Sequence, residues 1–307
     1  GEDLNGNGLL ESGAGIGFVV RATGGNTSLE IGQTDLGNVF DQNAGTAIEY
    51  TLIEGGQGQV AIRDNQIRGT TAIDTDGDGV ADTGGDGIVV RTLGDLQGGF
   101  GNPVLHDSII DGNLIGSLVA TEDTNGNSLL DPGEDINGNG LLDLSLVNEG
   151  HGVRFDIQEQ STVSNVWIGY ADTGDDSLSG NEIVNNGLDG IFIERLDDAV
   201  INGLFINNNL IEGNGLSQAF TDRQSVLGNG ISIAARDGGD SVLGISANLN
   251  EIRGNQFNGV KLLVDGDARL QFDMFRNLVE DNGVGDLTGA NLTAGILTLE
   301  NFNSSTD

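Results

Sequence analysis

The chain has 307 residues, and 12 Lys and Arg stand against 47 Asp and Glu, so the formal net charge is −35 at pH 7. The absence of Cys excludes disulfides and Cys-ligated metal centres, and the scarcity of cations disfavours a nucleic-acid partner, because phosphate contacts need clustered Lys and Arg. No apolar stretch approaches the roughly 18 residues of a membrane helix, so we expect a folded, very acidic protein without membrane insertion.

A Gly followed by alternating apolar residues recurs along the whole chain. The alternation has the two-residue period of a β-strand, and many of its apolar residues are β-branched. We therefore predict one short strand after each such Gly. The clear copies begin at Gly17, Gly87, Gly152, Gly190, Gly230, Gly259 and Gly295, and looser copies begin at Gly45 and Gly116.

A second motif, Asn-x-apolar-x-(Gly/Asn/Asp)-Asn, recurs with a spacing that indicates a solenoid. Copies at Asn181 and Asn209 start 28 residues apart, and a further short strand such as Leu204–Ile206 lies between the two motifs. Three strands in a unit of about 27 residues are typical of one coil of a parallel β-helix. We expect Gly and Asn at the corners, with the Asn side chains stacked into a ladder. Other copies start at Asn250 and Asn277, with variants at Asn38, Asn65 and Ser108.

These two repeats, over about residues 15–300, resemble the right-handed parallel β-helix superfamily that includes pectate lyases, polygalacturonases and alginate epimerases. The resemblance implies an all-β solenoid of about nine coils, with three strands per coil and acidic loop insertions. Many members are enzymes and others are adhesins, phage spikes or surface fibres, so the activity stays open. The predicted organisation is a partial calcium-loop segment at 1–14, one β-helix domain at 15–300 with insertions at 74–86 and 121–146, and a tail at 301–307.

A tandem of acidic loops within the 121–146 insertion gives the strongest chemical signal. The first loop has oxygen ligands at positions 1, 3, 5, 7, 9 and 12 of a twelve-residue segment, which is the spacing of a calcium loop. The second has Leu146 at its twelfth position, so another segment or water must complete it. The tandem is similar to the loops of dockerins and thrombospondin type 3 repeats, with Ser128 replacing the usual Gly. The predicted ligands are Asp123, Asn125, Asn127, Leu129 (by its carbonyl), Asp131, Glu134, Asp135, Asn137, Asn139, Leu141 and Asp143.

The same ligand spacing recurs in the 74–86 insertion and at the N-terminus. Residues 1–11 nearly copy residues 133–143, as half of a tandem whose other ligands come from a processed segment or a neighbouring molecule. The predicted ligands are all oxygen atoms, and the chain has no thiol and only 2 His, so Ca²⁺ is the metal they favour. The alternative is that these segments are solvated acidic turns without a metal. Millimolar calcium is extracellular, which predicts an extracellular or cell-surface location. The ligands here are Asp74, Asp76, Asp78, Val80, Asp82 and Asp86, and then Asp3, Asn5, Asn7, Leu9 and Glu11.

Candidate catalytic groups are sparse. Four cations beside His151 are a conceivable uronate-binding line, although isolated surface cations explain them more simply. The large aromatic residues are expected in the core. The four cations are Arg154, Arg195, Arg236 and Lys261; the outward positions on the Gly-led strands are Val19, Val89, Arg154, Phe192, Ser232, Lys261 and Leu297; and the expected core aromatics are Trp167, Phe155, Phe205, Phe272 and Phe275.

The sequence therefore favours a non-catalytic, secreted, calcium-binding structural protein. It would build a cell-surface layer or extracellular filament by head-to-tail assembly with copies of itself, because a β-helix has unpaired strand edges at both ends and no capping helix is visible. The alternatives are a lyase or epimerase acting on acidic polysaccharide, and a calcium-dependent adhesion or carbohydrate-binding module. Surface polysaccharide is thus a second candidate partner.

Overall fold

The computed structural model describes residues 17–73, 83–94, 101–118, 123, 129–135, 147–170, 180–216, 228–236, 242–283 and 298–302. Within these ranges the chain forms β-strands and turns without any helix, so none there is long and apolar enough to span a membrane. The strands are β1 (Phe18–Ile31), β2 (Val39–Asp41), β3 (Ile48–Arg63), β4 (Gln66–Arg68), β5 (Ala72–Ile73), β6 (Thr83–Gly84), β7 (Ile88–Leu93), β8 (Val104–Asp111), β9 (Leu114–Gly116), β10 (Val153–Gln158), β11 (Thr162–Gly169), β12 (Glu182–Val184), β13 (Ile191–Leu196), β14 (Val200–Asn207), β15 (Leu210–Glu212), β16 (Ile231–Arg236), β17 (Val242–Asn248), β18 (Glu251–Arg253), β19 (Val260–Asp265), β20 (Arg269–Phe275), β21 (Leu278–Glu280) and β22 (Thr298–Phe302).

Two sheets of parallel strands form a nearly closed, solenoid-like wall. The larger sheet has the order β20-β17-β14-β11-β8-β3-β7-β10-β13-β16-β19-β22, with β1 beside β3. Strand β3 joins its two halves, because it begins beside β7 and ends beside β8. At the turn between the halves, Glu54 and Gly55 have positive φ angles of 47° and 68°. The smaller sheet has the order β2-β4-β9-β12-β15-β18-β21, and β5 and β6 form a small antiparallel pair.

The predicted all-β, parallel solenoid-like fold is therefore confirmed. We call the half-sheet from the start of β3 through β7 to β22 the first column, the half-sheet from the end of β3 through β8 to β20 the second column, and the smaller sheet the third column. The parallel register places each residue beside the equivalent residue of the adjacent strand. Residues of one type therefore form rows along the solenoid.

The core consists of such rows on the inner face of the wall. One row opens the strands of the first column, and none of its aliphatic side chains exceeds 4% exposure. Burial of each such side chain stabilises the fold by about 1.5–3 kcal/mol relative to exposure. The members of this row are Ile48, Ile88, Val153, Ile191, Ile231 and Val260.

An Asn ladder runs between the second and third columns, as predicted. In the middle of it, Asn181 donates from Nδ2 to Asn209 Oδ1 at 2.9 Å, and Asn209 donates to Asn250 Oδ1 at 2.9 Å. Asn209 Nδ2 also donates to the Ile168 carbonyl at 2.9 Å, so one amide ties several strands together. The ladder contains Asn38, Asn65, Asn113, Asn181, Asn209, Asn250 and Asn277.

A second ladder follows the third column, which the sequence prediction of one ladder missed. It consists of Asn148, Asn186, Asn214, Asn255 and Asn282, with Nδ2 to Oδ1 distances of 3.0, 2.9, 2.8 and 2.8 Å. Thr70 continues it at the other end, because its hydroxyl donates to Asn148 Oδ1 at 2.9 Å. The two Asn of each motif thus serve different ladders.

Several sequence-based placements are wrong. Ser108 begins no ladder unit; it lies in β8, where its hydroxyl oxygen accepts a hydrogen bond from the Val60 N–H at 3.0 Å. Trp167 and Phe205 lie outside the core, partly exposed and stacked on each other with ring centroids 4.2 Å apart. Phe275 is 66% exposed, because its backbone pairs with Asn248 at an outer corner. Phe155 is buried in the core as expected, and Phe272 is partly buried and packs against the core.

Candidate functional site

Of the predicted calcium ligands, the structure describes six: Asp86, Asp123, Leu129, Asp131, Glu134 and Asp135. Residues 131–134 form a tight turn, in which the Glu134 N–H donates to the Asp131 carbonyl and the Asp131 N–H donates to Glu134 Oε2, both at 3.0 Å. The Glu134 side chain is held in this turn and the residue is 4% exposed. Outside the described residues lie Asp3, Asn5, Asn7, Leu9, Glu11, Asp74, Asp76, Asp78, Val80, Asp82, Asn125, Asn127, Asn137, Asn139, Leu141 and Asp143.

Asp86 lies at the entrance to the first column. Its Oδ1 accepts the His151 N–H at 2.7 Å, and its Oδ2 is 3.9 Å from Arg154 Nη1. The described ranges contain no cluster of three or more His, Cys, Asp or Glu arranged to hold a metal ion. Asp86 also belongs to a larger arrangement of charged side chains.

The outer face of the first column carries a group of charged side chains that are in contact with one another. The parallel register aligns Glu49 with Val89 and then with Arg154, and two residues further along it aligns Arg91 with Asp156. We call Glu49, Asp86, Arg91, Arg154 and Asp156 the charged cluster. Its members come from three distant segments of the chain, which strand pairing brings together.

The charged cluster is a continuous set of ion pairs. Arg91 is 3.1 Å from Glu49 through Nη1 and 3.0 Å from Asp156 Oδ2 through Nε, while Arg154 Nε donates to Asp156 Oδ1 at 2.8 Å. Glu49, Asp86 and Asp156 are 6%, 2% and 3% exposed, so these pairs lie largely out of solvent. Removal of one partner from a buried pair typically costs about 3–5 kcal/mol, because the other charge is left uncompensated.

His151 and Asp189 extend the charged cluster along the same edge. The Asp189 N–H donates to His151 Nδ1 at 3.2 Å, and Asp189 Oδ2 lies 3.6 Å from the same nitrogen. Asp189 Oδ1 accepts from the N–H of Gly228 and from both nitrogens of Asn229 at 2.7–2.9 Å. The imidazole stacks on the Phe192 ring with centroids 4.7 Å apart.

Burial shifts the titration of this region. Desolvation raises the pKa of Asp86 to about 6, against the opposing attraction of Arg154, and it raises the pKa of Asp189 to about 6, against the hydrogen bonds from Asn229 and Gly228. Burial works to lower the pKa of Arg154, but the attraction of Asp156 and Asp86 outweighs it, so that pKa is raised. Two carboxyl groups therefore titrate well above their ordinary range.

The predicted outward row is present, but the predicted basic line is not. The register aligns Val19, Glu49, Val89, Arg154, Phe192, Ser232 and Lys261, followed by Thr298, whereas Leu297 is outside the described residues. Arg195 is fully buried and donates from Nε to the Ala199 carbonyl at 2.9 Å. Arg195 is five residues after Gly190, so strand alternation places it on the inward face with Ile191 and Ile193. Arg236 is aligned with Leu196, outside the row of Arg154 and Lys261, and forms an ion pair with Glu194.

Sequence reasoning missed Glu49, Arg91, Asp156 and Asp189. Two signals were present: an Asp or His immediately before the strand-opening Gly, as at Asp86, His151 and Asp189, and a charged residue four places after it, as at Arg91 and Asp156. Each signal is local, but only the register between distant strands shows that the charges meet.

No protein-family model and no curated protein matches the chain. Among solved structures, the chain is similar to the A-module of the mannuronan C-5 epimerase AlgE6 of Azotobacter vinelandii, with 16% identity over 86% of this chain and 68% of that chain. The TM-score of 0.16 is low. The description of the fold therefore rests on the strand pairings, and the site has to be interpreted from its own chemistry.

Proposed function

We propose that the wall is a right-handed parallel β-helix of about nine coils, with three strands in each coil. The pairings support it, because the first, second and third columns contribute β10, β11 and β12 in chain order, and then β13, β14 and β15. Each of these strands pairs with the strand three elements later. The calcium loops are proposed as insertions into this β-helix, in keeping with their similarity to dockerin and thrombospondin type 3 loops.

We further propose that the protein is a non-catalytic, calcium-binding structural protein of the cell surface or extracellular space, which assembles head to tail. One observation carries the proposal: inward-facing residues are covered in the middle of the solenoid and uncovered at both ends. Phe18 and Met274 are 39% and 38% exposed, although their register partners Ile48 and Ala247 are fully buried. Stacking of a second copy would cover both and extend the open strand edges.

The same geometry favours a polymer over a closed pair. The uncovered surfaces lie at opposite ends of one solenoid, so a contact between unlike ends leaves a free end on each partner. The ends of the first ladder also match. Among the described residues, the ladder begins with Asn38, which donates to Asn65, and ends with Asn277, whose Nδ2 donates to the Ala247 carbonyl.

Two single-residue variants test the direction of assembly. Phe18→Asp blocks one end and Met274→Asp blocks the other, so each variant alone should sediment as a monomer in millimolar calcium, while the unchanged chain forms a series of oligomers. An equimolar mixture of the two variants should form dimers, because one intact end of each kind remains. Leu216→Asp, which places the same charge at an exposed apolar residue elsewhere, is the control and should assemble normally. A monomeric unchanged chain, or variants that assemble like it, would contradict the proposal.

Calcium binding is proposed from the loop spacing and from the buried Glu134 side chain. A carboxylate in a water-poor turn of an acidic loop is a suitable bidentate ligand for Ca²⁺, and bound ions would reduce the self-repulsion of a −35 chain. Calorimetric titration of the EDTA-stripped chain should detect calcium. Glu134→Gln should lose or weaken at least one site about tenfold, whereas Glu30→Gln, on an exposed strand position, should not. Equal binding by both variants would contradict the assignment.

A lyase or epimerase acting on acidic polysaccharide is the second candidate, and the region around His151 is the observation that favours it. An imidazole beside a carboxyl group of raised pKa is a possible acid–base pair. Two features weigh against it: His151 and Asp189 are 4% and 0% exposed, and two Arg in the charged cluster face three carboxylates, which leaves no spare positive charge for a uronate. Formation of unsaturated uronate ends by the unchanged chain, and its loss in His151→Ala, would replace the structural proposal.

A further inference from the structure

The register of the columns fixes which residues meet where one copy joins the next in the proposed assembly. We call the edge formed by β1 and β2 the head edge and the edge formed by β20 and β21 the tail edge. Two inward core rows, one in the second and one in the third column, run from the head edge to the tail edge, and so does the first Asn ladder. When these rows continue into a second copy, each defines one pair of residues at the junction. The pairs, with the tail residue first, are Met274 with Ile31, Val279 with Phe40, and Asn277 with Asn38.

Opposite charges face each other along one outer row of the third column. Near the head edge, Asp41 Oδ2 lies 3.4 Å from Arg68 Nη2. Near the tail edge, Arg253 Nη2 lies 3.0 Å from Glu212 Oε2, and the register places Glu280 on the other side of Arg253. Such cross-strand pairs of opposite charge stabilise a sheet, whereas like charges directly opposite each other destabilise it. This row therefore ends in a carboxylate at both edges.

An outer row of the second column also ends in a carboxylate at both edges. At the head edge, Glu30 on β1 lies 3.5 Å from Arg63 Nη1 through Oε1. At the tail edge, Asp273 on β20 is exposed, and its register partner on β17 is uncharged. The cations on either side of Asp273 in the chain are Arg269, four residues before it, and Arg276, three residues after it, so neither is aligned with the row of Glu30.

A junction that continues these rows brings like charges together in both columns. Asp273 of one copy lies opposite Glu30 of the next, and Glu280 lies opposite Asp41, each pair across the strand spacing of about 4.8 Å. We propose that these two carboxylate pairs control the assembly, so that copies associate tightly only where dissolved cations screen the pairs. The inference rests on the proposed head-to-tail assembly and adds the way in which that assembly is regulated.

The two kinds of contact at the junction differ in their response to salt. The apolar rows favour association at any ionic strength, because the burial of apolar surface does not depend on charge. Repulsion between solvent-exposed charges acts over about 30 Å in 0.01 M salt and over about 3 Å in 1 M salt. The side chains of Glu30 and Asp41 are 52% and 25% exposed, so the repulsion is open to screening. Ionic strength therefore shifts the balance between separate copies and filaments.

A charge-reversal cycle at Asp273 and Glu30 tests the proposal. Asp273→Lys turns the second-column pair into opposite charges, so in about 10 mM salt it should lower the concentration at which half the chains are assembled about tenfold. Asp273→Lys combined with Glu30→Lys restores like charges and should return that concentration to the value of the unchanged chain. Glu182→Lys adds the same charge at an exposed strand position in the middle of the solenoid, beside uncharged register partners, and is the control. It should change the concentration less than about twofold.

Sedimentation equilibrium at one fixed, millimolar calcium concentration measures all four chains, and in about 1 M NaCl they should agree within about twofold. Thermal unfolding of each variant checks that the solenoid is intact. If Asp273→Lys assembles no more tightly than Glu182→Lys, or if the double variant is as tight as Asp273→Lys alone, control by the carboxylate pairs is overturned while the assembly stands. If neither the unchanged chain nor Asp273→Lys assembles at any salt concentration, the head-to-tail assembly is itself wrong.

Discussion

The middle of the solenoid and its two ends use the same kinds of residue with different results. Ile191, in the middle, is fully buried between strands on both sides, whereas Phe18, in the same inward row, is 39% exposed. Asn209 exchanges side-chain hydrogen bonds with Asn on both sides, whereas Asn277 does so on one side. In a solenoid the stabilisation by a residue depends on its neighbours along the axis, so we expect the terminal strands to be less stable than the middle.

The largest expected difference between the two regions is in the packing of aromatic side chains. Phe155→Ala in the middle removes a side chain that is 1% exposed and should reduce the free energy of unfolding by about 3–5 kcal/mol. Phe18→Ala at the end should reduce it by about 1 kcal/mol, because much of that ring is already in contact with water. Urea denaturation under conditions that keep the chain monomeric measures both values. Equal losses would show that the end is as well packed as the middle.

A second difference is in the response to pH. The pKa of Asp189 is raised from 3.8 to about 6 in the folded state, so between these values the folded protein binds more protons than the unfolded chain. The free energy of unfolding should therefore rise as the pH falls from 7 towards 4, by up to about 3 kcal/mol from this group. Asp86 has the same direction and cause, so it adds to the effect.

Replacement of Asp189 by Asn isolates that contribution. The neutral amide has no charge to bury, so Asp189→Asn should be more stable than the unchanged chain at pH 7 and similar to it near pH 4. Asp267→Asn, in a turn near the end of the solenoid, is the control and should leave the difference between pH 4 and pH 7 unchanged. A parallel pH profile for Asp189→Asn and the unchanged chain would mean that Asp189 is not buried as a charge.

The smallest expected difference is within the first Asn ladder. Asn209→Ala removes the acceptor of the Asn181 N–H and side-chain amide and the donor to the Ile168 carbonyl and Asn250 Oδ1, and should cost about 2–3 kcal/mol. Asn277→Ala affects Asn250 and the Ala247 carbonyl on one side and should cost about 1 kcal/mol. Hydrogen exchange of the flanking strands reports each loss locally. Greater deprotection around Asn277→Ala than around Asn209→Ala would contradict the account.

The repeat units and the first ladder could be predicted from the sequence because both depend on local period and constant spacing. Asn181, Asn209, Asn250 and Asn277 recur at such spacing, and the structure stacks them. Where an insertion breaks the spacing, prediction fails: Ser108 was chosen in place of Asn113. Arg195 was assigned to the surface by its charge, although the strand alternation places it inside.

The charged cluster could not be predicted because it depends on the register between distant strands. Arg91 and Asp156 are 65 residues apart in the chain. Their contact follows from the pairing of β7 with β10, which the sequence pattern does not reveal. The calcium loops have the opposite status, since their ligand pattern is clear in the sequence and most of their residues lie outside the described ranges.

The central claim is that open ends of a parallel β-helix continue from one molecule into the next. Cryo-electron microscopy of the chain in millimolar calcium tests it most directly. The account predicts filaments in which the strand spacing of about 4.8 Å continues across the junction, with Met274 of one copy against Ile31 of the next, because these two residues end the same inward row of the second column. Separate particles in calcium, or filaments joined through the sides of the solenoid, would contradict it.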